Sequence, residues 1–302
     1  MPADVGPEPD PSYPDDLREL VDSHLEAIHF SDGEGPGGAG TTGLDEAMRY
    51  SLLAGGKRIR PVLCLATARA IGQPVADFLG AAAALEMIHT YSLVHDDLPA
   101  MDDDDLRRGK PTSHVKYGEA VAILAGDGLF AEAVGSLAES PAPPERVLEA
   151  VSLLSAATGV EGMVGGQYVD VTARSLTADG LRHLHSLKTG RLIRVSVEVA
   201  LALGGVDNGG REPYRRFAAL IGLLFQIVDD ILDVTGSDEE LGKPHGSDER
   251  HGKVTYVSLY GLEEARSLAA ESHEQALDAL AGAGGETRDL KRIAEYIYSR
   301  HQ

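Results

Sequence analysis

Apolar residues recur at every third or fourth position through long stretches of the chain. The clearest stretches are residues 44–53, 115–137, 146–158, 181–203, 214–234 and 254–280. This spacing matches the α-helical turn of about 3.6 residues, so one face of each stretch is apolar. The pattern predicts an all-helical protein. We find no internal period of the kind that marks a solenoid.

Residues 195–199, VSVEV, fit a strand as well as a helix, because their apolar positions alternate with a period of two. The stretch continues from LIR into ALAL without a turn residue. We therefore interpret it as part of a helix.

Residues 81–94, AAAALEMIHTYSLV, are apolar on almost every side, which predicts a buried helix. Six aspartates follow within residues 96–105, and Arg107, Arg108 and Lys110 come directly after them. A run of charge is usually a solvated surface. A buried helix that ends in carboxylates instead indicates a functional site.

Composition limits the class of protein. With 302 residues and 43% hydrophobic content, we expect one domain with a large core, over residues 15–302. Residues 1–14, rich in proline and acid, are interpreted as a disordered lead, and residues 31–43 as a flexible connection. The one cysteine, Cys64, lies in an apolar stretch and is expected to be a buried, reduced thiol.

Neither a signal peptide nor an apolar run near the roughly 18 residues of a membrane span is apparent. We therefore expect a soluble cytoplasmic protein. The formal net charge of -21 argues against a nucleic-acid partner, because phosphate backbones require basic surface. An anionic substrate would need local lysines, arginines or metal ions.

The second informative segment is FQIVDDILD, residues 225–233. On a helix, Asp229 and Asp233 lie four residues apart on one face, with Gln226 a turn earlier on the same side. Two like charges among apolar residues repel unless a cation lies between them. Oxygen ligands without His or Cys suit a hard cation, and Mg²⁺ held by carboxylates and substrate phosphates fits best.

In the first aspartate run, Asp96 and Asp102 are six residues apart, about 600° on a regular helix and so on opposite sides. Pro99 interrupts the helix, and we expect a loop that brings Asp102 back toward Asp96. His89 lies two turns before Asp96 on the same face. Two interpretations of His89 stay open, a hydrogen-bonded core residue and a ligand-binding residue.

Basic residues on glycine-rich loops accompany both aspartate runs. In GGKRIRP, residues 55–61, Lys57 and Arg60 lie beside the start of a helix, where a diphosphate would bind well. Basic residues with neighbouring glycines also occur in RRGKP, residues 107–111, and in LGKPHGSDERHGKVTY, residues 241–256. Each signal is weak alone, because ordinary joints between helices look similar.

In their order and spacing, these motifs resemble those of the short-chain trans-isoprenyl diphosphate synthases of the polyprenyl synthetase family. The resemblance runs from GGKRIRP through EMIHTYSLVHDDLPAMDDDDLRRGKPT, GMVGGQ, KTG and FQIVDDILD to GKVTY. The span from Asp96 to Asp102 is similar to the form with two extra residues found in bacterial and plant members. The nearest type is the bacterial farnesyl diphosphate synthase.

The resemblance implies a single-domain bundle of long helices around a deep central cavity, the isoprenoid synthase fold, and a homodimer. It implies Mg²⁺-assisted ionisation of an allylic diphosphate, condensation with isopentenyl diphosphate and loss of a proton. By this resemblance three Mg²⁺ ions bind at Asp96, Asp102, Asp229 and Asp233. It leaves open whether Asp97 and the aspartates at 103–105 contact metal.

The remaining site residues are implied in the same way. The residues that match the family's pocket for isopentenyl diphosphate are Lys57, Arg60, His89 and Arg108. The residues that match the family's binding positions for the allylic diphosphate are Arg107, Lys188, Thr189, Gln226 and Lys243. Of these, Lys188, Thr189 and Gln226 match positions that line the reacting carbons and are the expected catalytic residues.

Product length is expected to depend on Tyr91 and Ser92, which lie about 6–8 Å before Asp96 along the same helix. An aromatic residue five positions before the first aspartate resembles the farnesyl-producing type, whereas a small residue there is similar to the geranylgeranyl type. We therefore expect farnesyl diphosphate, with geranylgeranyl diphosphate as the alternative. An ordinary core role for Tyr91 also stays open.

Two other classes of protein were weighed. A class I terpene cyclase also uses an aspartate-rich helix and Mg²⁺, but DDILD and GGKRIRP argue against it. A noncatalytic acidic partner or a calcium-binding protein would explain the acidic residues but not the basic loops.

Overall fold

The computed structural model describes residues 13–33, 35, 39–173, 175–236 and 254–300. Its helices, in chain order, are α1 (Asp15–Ala27), α2 (Thr42–Leu52), α3 (Ile59–Ala70), α4 (Leu79–Asp96), α5 (Ser113–Tyr117), α6 (Glu119–Ala138), α7 (Pro144–Thr158), α8 (Met163–Thr172), α9 (Ala178–His185), α10 (Arg191–Leu203), α11 (Asn208–Thr235), α12 (Tyr256–Tyr260), α13 (Leu262–Ala281) and α14 (Arg288–Ser299). A 3₁₀ turn (Val75–Phe78) precedes α4, and a single π turn (Ser186–Gly190) joins α9 to α10.

The helices form one bundle with three of them, α3, α4 and α10, buried on nearly all sides. α4 packs against α6, α10 packs against α3, α7 and α11, and α11 packs against α13. This confirms the all-α fold. The segment VSVEV lies inside α10, where its valines and Glu198 are all buried, so the helical interpretation is confirmed.

Two predicted helical stretches are broken by glycines. Gly118, at φ 86°, separates α5 from α6, and Gly261, at φ 83°, separates α12 from α13. Residues with a side chain rarely adopt this backbone conformation, so the chain turns there at little steric cost. The apolar periodicity continues across both breaks, which is why it predicted single helices.

The structure contains one short hairpin that the sequence pattern did not predict. Strand β1 (Leu106–Arg107) pairs with strand β2 (Lys110–Pro111) in antiparallel register. Both residues of the connecting turn have positive φ, 53° at Arg108 and 72° at Gly109. This is the two-residue turn that matches the twist of a hairpin, and it fixes the directions of the two arginines.

Residues 1–12 of the predicted lead lie outside the described residues. Tyr13, within that predicted lead, is buried, and its hydroxyl donates to the carbonyl of Lys57 at 2.8 Å. Cys64 is fully buried, and burial raises the pKa of its thiol to about 12. The thiol is therefore protonated and inert, as the apolar stretch around it predicted.

By length and composition, α6 and residues 144–172 are apolar enough to cross a membrane. The sequence analysis looked for uninterrupted apolar runs and found none of this length, whereas these helices reach the required mean hydropathy with scattered polar residues among the apolar ones. A core helix of a water-soluble protein passes the same test, so two such helices are weak evidence for a membrane span.

Candidate active site

A cavity of about 610 Å³ lies between α4, α8 and the π turn. Its walls are mainly apolar, and its polar residues come from several separate motifs of the sequence. The polar and titratable residues that line it are Arg60, His89, Tyr91, Ser92, His95, Asp96, Gln167, Tyr168, Lys188 and Thr189.

The first aspartate motif lies at the end of α4. After Asp96 the chain turns through residues 98–101, and the amide of Asp102 donates to the carbonyl of Asp96 at 2.8 Å. The amide of Asp103, at φ 54°, donates to the carbonyl of Leu98 at 3.2 Å. The predicted return of Asp102 toward Asp96 is confirmed, because a regular helix through Pro99 would have kept them apart.

The charged form of Asp96 is disfavoured in the folded protein. The pKa of its carboxyl is raised to about 6, mainly by burial and in part by the Asp102 charge, although Lys188 acts in the opposite direction. A carboxylate with a raised pKa is one whose charge the folded protein compensates poorly. A bound cation would supply that compensation.

Asp97 has a different environment from Asp96. It is buried, and Arg107 forms a bidentate pair with it, with Nη2 2.6 Å from Oδ1 and Nε 3.0 Å from Oδ2. Arg107 also lies 3.7 Å from Asp104. In this structure the Arg107 guanidinium therefore holds the hairpin against the end of α4.

The GGKRIRP loop is held by a buried ion network. Arg58, at φ 53°, donates to Glu86 on α4 at 2.6 Å and to Asp22 on α1 at 2.9 Å. The loop is thereby tied to α1 and to α4, the second of which lines the cavity. Arg60 lines the cavity, whereas Arg58 and Lys57 do not. Lys57 is exposed, with its Nζ 5.2 Å from the centroid of the Tyr296 ring.

Arg108 is brought to this loop from the hairpin. Its Nη1 donates to the carbonyl of Gly55, and a Cβ added to Gly56 would lie 2.7 Å from the guanidinium. The two glycines therefore let the loop approach Arg108. Four residues implied by the resemblance come from three separate segments, and the structure brings Arg108 to the loop that carries Lys57 and Arg60.

Arg60 and His89 lie deeper and both line the cavity. Burial lowers the pKa of Arg60 to about 10, with Glu86 and Asp229 acting against the shift and Arg108 acting with it. Burial and the neighbouring arginines lower the pKa of His89 well below its usual value. The imidazole is therefore neutral, and Asp229 of the second motif faces the same charged region.

The π turn positions Lys188 and Thr189 on the opposite wall. A Cβ on Gly166 of α8 would lie 2.4 Å from the Lys188 amide nitrogen, and a Cβ on Gly222 of α11 would lie 3.1 Å from the Gly190 Cα. The backbones of α8 and α11 therefore pack closely against the turn at these glycines. π turns occur often at functional sites because they redirect side chains without ending the helix.

Lys188 has a partner that the sequence analysis did not identify. Its Nζ donates to Asp170 Oδ2 at 2.6 Å. Gln167, one turn before Asp170 on α8, lines the cavity with both amide atoms buried and without a hydrogen-bond partner in the described part of the chain. The spacing of Gln167 and Asp170, three residues apart on one helical face, was the available signal.

The second aspartate motif lies near the end of α11. Asp233 is buried, as is Asp230, which accepts hydrogen bonds from Gln226 Nε2 at 2.8 Å and from the Tyr256 amide at 2.7 Å. Gln226 therefore contacts its own helix and lines a second, smaller cavity rather than the large one. Lys243 lies outside the described residues.

Tyr91 and Ser92 both line the cavity. The Tyr91 side chain is only 8% exposed and meets Phe130 of α6 edge to face, with ring centroids 5.4 Å apart. Ser92 Oγ donates to the carbonyl of His89 at 2.8 Å, so its hydroxyl is satisfied within α4. Tyr91 is thus the bulkier of the two candidates for limiting the length of a bound chain.

Among the described residues, no group of three or more His, Cys, Asp or Glu side chains is close enough to hold a metal ion alone. Mg²⁺ typically uses one or two carboxylates and completes its shell with water and substrate phosphates. The donor set fits this ion, because Asp96 and Asp102 supply oxygen only and the charge of the half-buried Asp96 is only partly compensated.

A helical bundle with a mainly apolar cavity, lined by Asp96 and Arg60, suits the binding of an apolar chain that ends in a charged group. A sequence model described as polyprenyl synthetase matches residues 41–297. The chain belongs to this family and is a trans-prenyltransferase of isoprenoid biosynthesis.

Relatives and solved structures agree with this assignment. The chain is 50% identical to a geranylgeranyl pyrophosphate synthase of Capsicum annuum, over 85% of this chain and 71% of the relative. It is 46% identical to a farnesyl diphosphate synthase of Geobacillus stearothermophilus, over 86% and 90%. A geranyltransferase from Legionella pneumophila superposes with a TM-score of 0.82, 33% identity and 95% coverage of both chains.

Proposed function

We propose that this prenyltransferase condenses isopentenyl diphosphate with dimethylallyl or geranyl diphosphate and releases mainly farnesyl diphosphate. The observation that carries the choice of product is Tyr91, a nearly buried aromatic residue in the cavity wall, backed edge-on by Phe130. A growing chain anchored at Asp96 extends along α4 and meets this ring about 7 Å away.

Two diphosphates must bind in different ways. Lys57, Arg60 and Arg108, with neutral His89 beside them, supply a cationic pocket for isopentenyl diphosphate, and Arg60 is already desolvated. The allylic diphosphate binds near Asp96, Asp102, Asp229 and Asp233. These carboxylates would hold Mg²⁺, which would neutralise part of the charge of the allylic diphosphate and make the diphosphate a better leaving group.

The protein's own groups then act on the reacting carbons. As the C–O bond of the allylic substrate breaks, the positive charge on carbon is stabilised by the backbone and hydroxyl dipoles of Lys188 and Thr189. The Asp170 carboxylate keeps the Lys188 ammonium at the wall. Gln226 supports the second motif through Asp230, and Arg107 and Lys243 are assigned to the departing diphosphate.

The double bond of isopentenyl diphosphate attacks the allylic carbon, and a new C–C bond forms. The resulting cation loses a proton to the departing diphosphate, which restores a double bond in a product five carbons longer. No protein base is needed for this step. The cavity's mainly apolar wall excludes water from the cation until the proton has left.

A homodimer is part of this proposal. Large apolar side chains lie exposed on consecutive segments of the chain, among them Leu124 of α6, Leu148 of α7, Val160 in the connection after α7, and Tyr168 of α8. Exposed apolar side chains that form a patch on a water-soluble protein usually mark an interface. Tyr168 also lines the cavity, so a second copy would cover part of the cavity wall. A cytoplasmic location remains our expectation.

Geranylgeranyl diphosphate is the second candidate product, because the relative from Capsicum annuum carries that name. The test is incubation with isopentenyl and dimethylallyl diphosphates, followed by chromatography of the dephosphorylated alcohols. We expect mainly fifteen-carbon alcohol from the natural chain and a shift to twenty carbons in Tyr91→Ala. Mainly twenty-carbon alcohol from the natural chain, or an unchanged product from Tyr91→Ala, would contradict the role of Tyr91.

The matched control is Tyr50→Ala. Tyr50 is an aromatic residue of α2 that packs on Tyr117 and does not line the large cavity. Its loss should leave the product unchanged. A shift of product length in this control would show that general loosening of the bundle, rather than the cavity floor, determines length.

A further inference from the structure

A second cavity lies on the other side of the π turn, between α9, the start of α10 and α11. Its volume is about 280 Å³. The residues that line it are Arg182, His185, Ser186, Gly190, Arg191, Arg194, Ala219, Gly222, Leu223, Gln226 and Tyr256, and none of them lines the large cavity. Three arginines and no carboxylate line a cavity in a chain that has 48 acidic and 27 basic residues.

The three guanidiniums differ in how far they are neutralised. Arg182 pairs with Asp179 at 2.5 Å, and Arg194 pairs with Glu198 at 3.1 Å. Arg191 is exposed and has no ion-pair partner among the described residues. Within the described part of the chain, the cavity therefore has a net positive lining, with Arg191 as its uncompensated charge.

Two buried polar atoms of the lining also have no hydrogen-bond partner among the described residues, Tyr256 Oη and His185 Nδ1. Tyr256 is 3% exposed, and its ring lies 5.6 Å from that of His185. Burial raises the pKa of Tyr256 to about 12 and lowers that of His185 to about 4, so both groups are neutral and each has a hydrogen to donate in one tautomer or rotamer. Buried polar atoms without a partner are uncommon, and a ligand rich in acceptor oxygens would satisfy both.

We propose that this cavity binds a diphosphate group at a site separate from the catalytic cavity. Planar guanidiniums bind phosphate oxygens through paired hydrogen bonds, and three of them with two neutral donors match a ligand with several anionic oxygens better than a single carboxylate. Inorganic diphosphate and the head of a five-carbon isoprenyl diphosphate share this chemistry. Ala219 and Leu223 supply an apolar wall for a short tail.

The site is connected to the second aspartate motif. Gln226 lines the cavity and donates to Asp230, and the amide of Tyr256 donates to the other oxygen of the same carboxylate. A ligand that contacts Tyr256 and Gln226 would therefore bear on the helix that carries Asp229 and Asp233. The proposal that diphosphate binds here does not depend on which product the enzyme makes.

The experiment is calorimetric titration of the full chain with inorganic diphosphate in EDTA, so that metal-dependent binding is absent. We expect two sites. Arg191→Ala should weaken one of them about ten- to a hundredfold, the usual effect of removing a hydrogen bond to a charged group. Lys57→Ala should weaken the other. The control Arg266→Ala, which removes an exposed arginine of α13 paired with Glu263, should change neither site.

A second variant tests whether binding needs the open volume of the cavity as well as its positive charge. Ala219→Phe fills the cavity without changing its charge and should also weaken the site that Arg191→Ala affects. Comparison of inorganic diphosphate with a non-ionising thiolo analogue of dimethylallyl diphosphate distinguishes the two sources, because only the latter gains from the apolar wall. Binding at one site that Lys57→Ala removes, and that neither Arg191→Ala nor Ala219→Phe alters, would overturn the proposal.

Discussion

The close contact between α8 and the π turn predicts that Gly166→Ala lowers both the stability and the activity of the protein. In the natural chain no side chain separates Gly166 from Lys188. An added Cβ would lie 2.4 Å from the Lys188 amide nitrogen and 2.6 Å from its Cα. Because these are backbone atoms, no side-chain rotation relieves the contact, and α8 and the π turn must move apart by about 1 Å to reach ordinary van der Waals separation.

Two opposing terms determine the effect on stability. Over-packing of this kind costs about 1–3 kcal/mol, whereas alanine in place of glycine within a helix gains about 0.5–1 kcal/mol. We expect a net loss of about 1–2 kcal/mol in the free energy of unfolding. The effect on catalysis is larger, because displacement of a reacting group by 1 Å can lower the rate about a hundredfold.

Gly135→Ala is the matched control. Gly135 also lies inside a helix, α6, but nothing lies within 4 Å of its added Cβ. This variant should gain up to about 1 kcal/mol and keep its activity. Urea unfolding followed by circular dichroism and steady-state kinetics measure both quantities. If Gly166→Ala were as stable as Gly135→Ala and kept the natural kcat, the close approach would not position Lys188.

Three further predictions follow from the charges of the site. Asp96→Asn and Asp229→Asn should each lower kcat with Mg²⁺ about 100- to 1,000-fold, and near-natural turnover in a folded variant would refute the metal assignment. The pKa of Asp96 is raised in the folded state, so ionisation of this carboxyl lowers the free energy of unfolding as pH rises from about 4 to 6. Asn cannot ionise, so in EDTA Asp96→Asn should raise the free energy of unfolding by about 1–2 kcal/mol above pH 6. Thermal unfolding at pH 4 and pH 7.5 checks this, and an equal gain at both would exclude the charge as its cause. Lys57→Ala should raise KM for isopentenyl diphosphate much more than KM for the allylic substrate, and equal effects would contradict separate pockets.

The sequence by itself determined the features that depend on neighbours along the chain. Apolar residues three and four apart predicted the helices, including the segment VSVEV in α10, and Pro99 predicted the return of Asp102 toward Asp96. The shared helical face of Asp229 and Asp233 was predictable for the same reason. These features follow from local geometry, which a window of a few residues contains.

Only the tertiary structure decided which distant groups meet. Nothing near Lys188 in the sequence indicates Asp170, and nothing near Arg58 indicates Glu86, because each pair forms only after two helices have packed. Gly166 lies far from the π turn along the chain and contacts it across a helix interface. Helical periodicity specifies which face of a helix is buried but not which helix covers it, so the partners of the site's charged residues depend on the packing of the whole bundle.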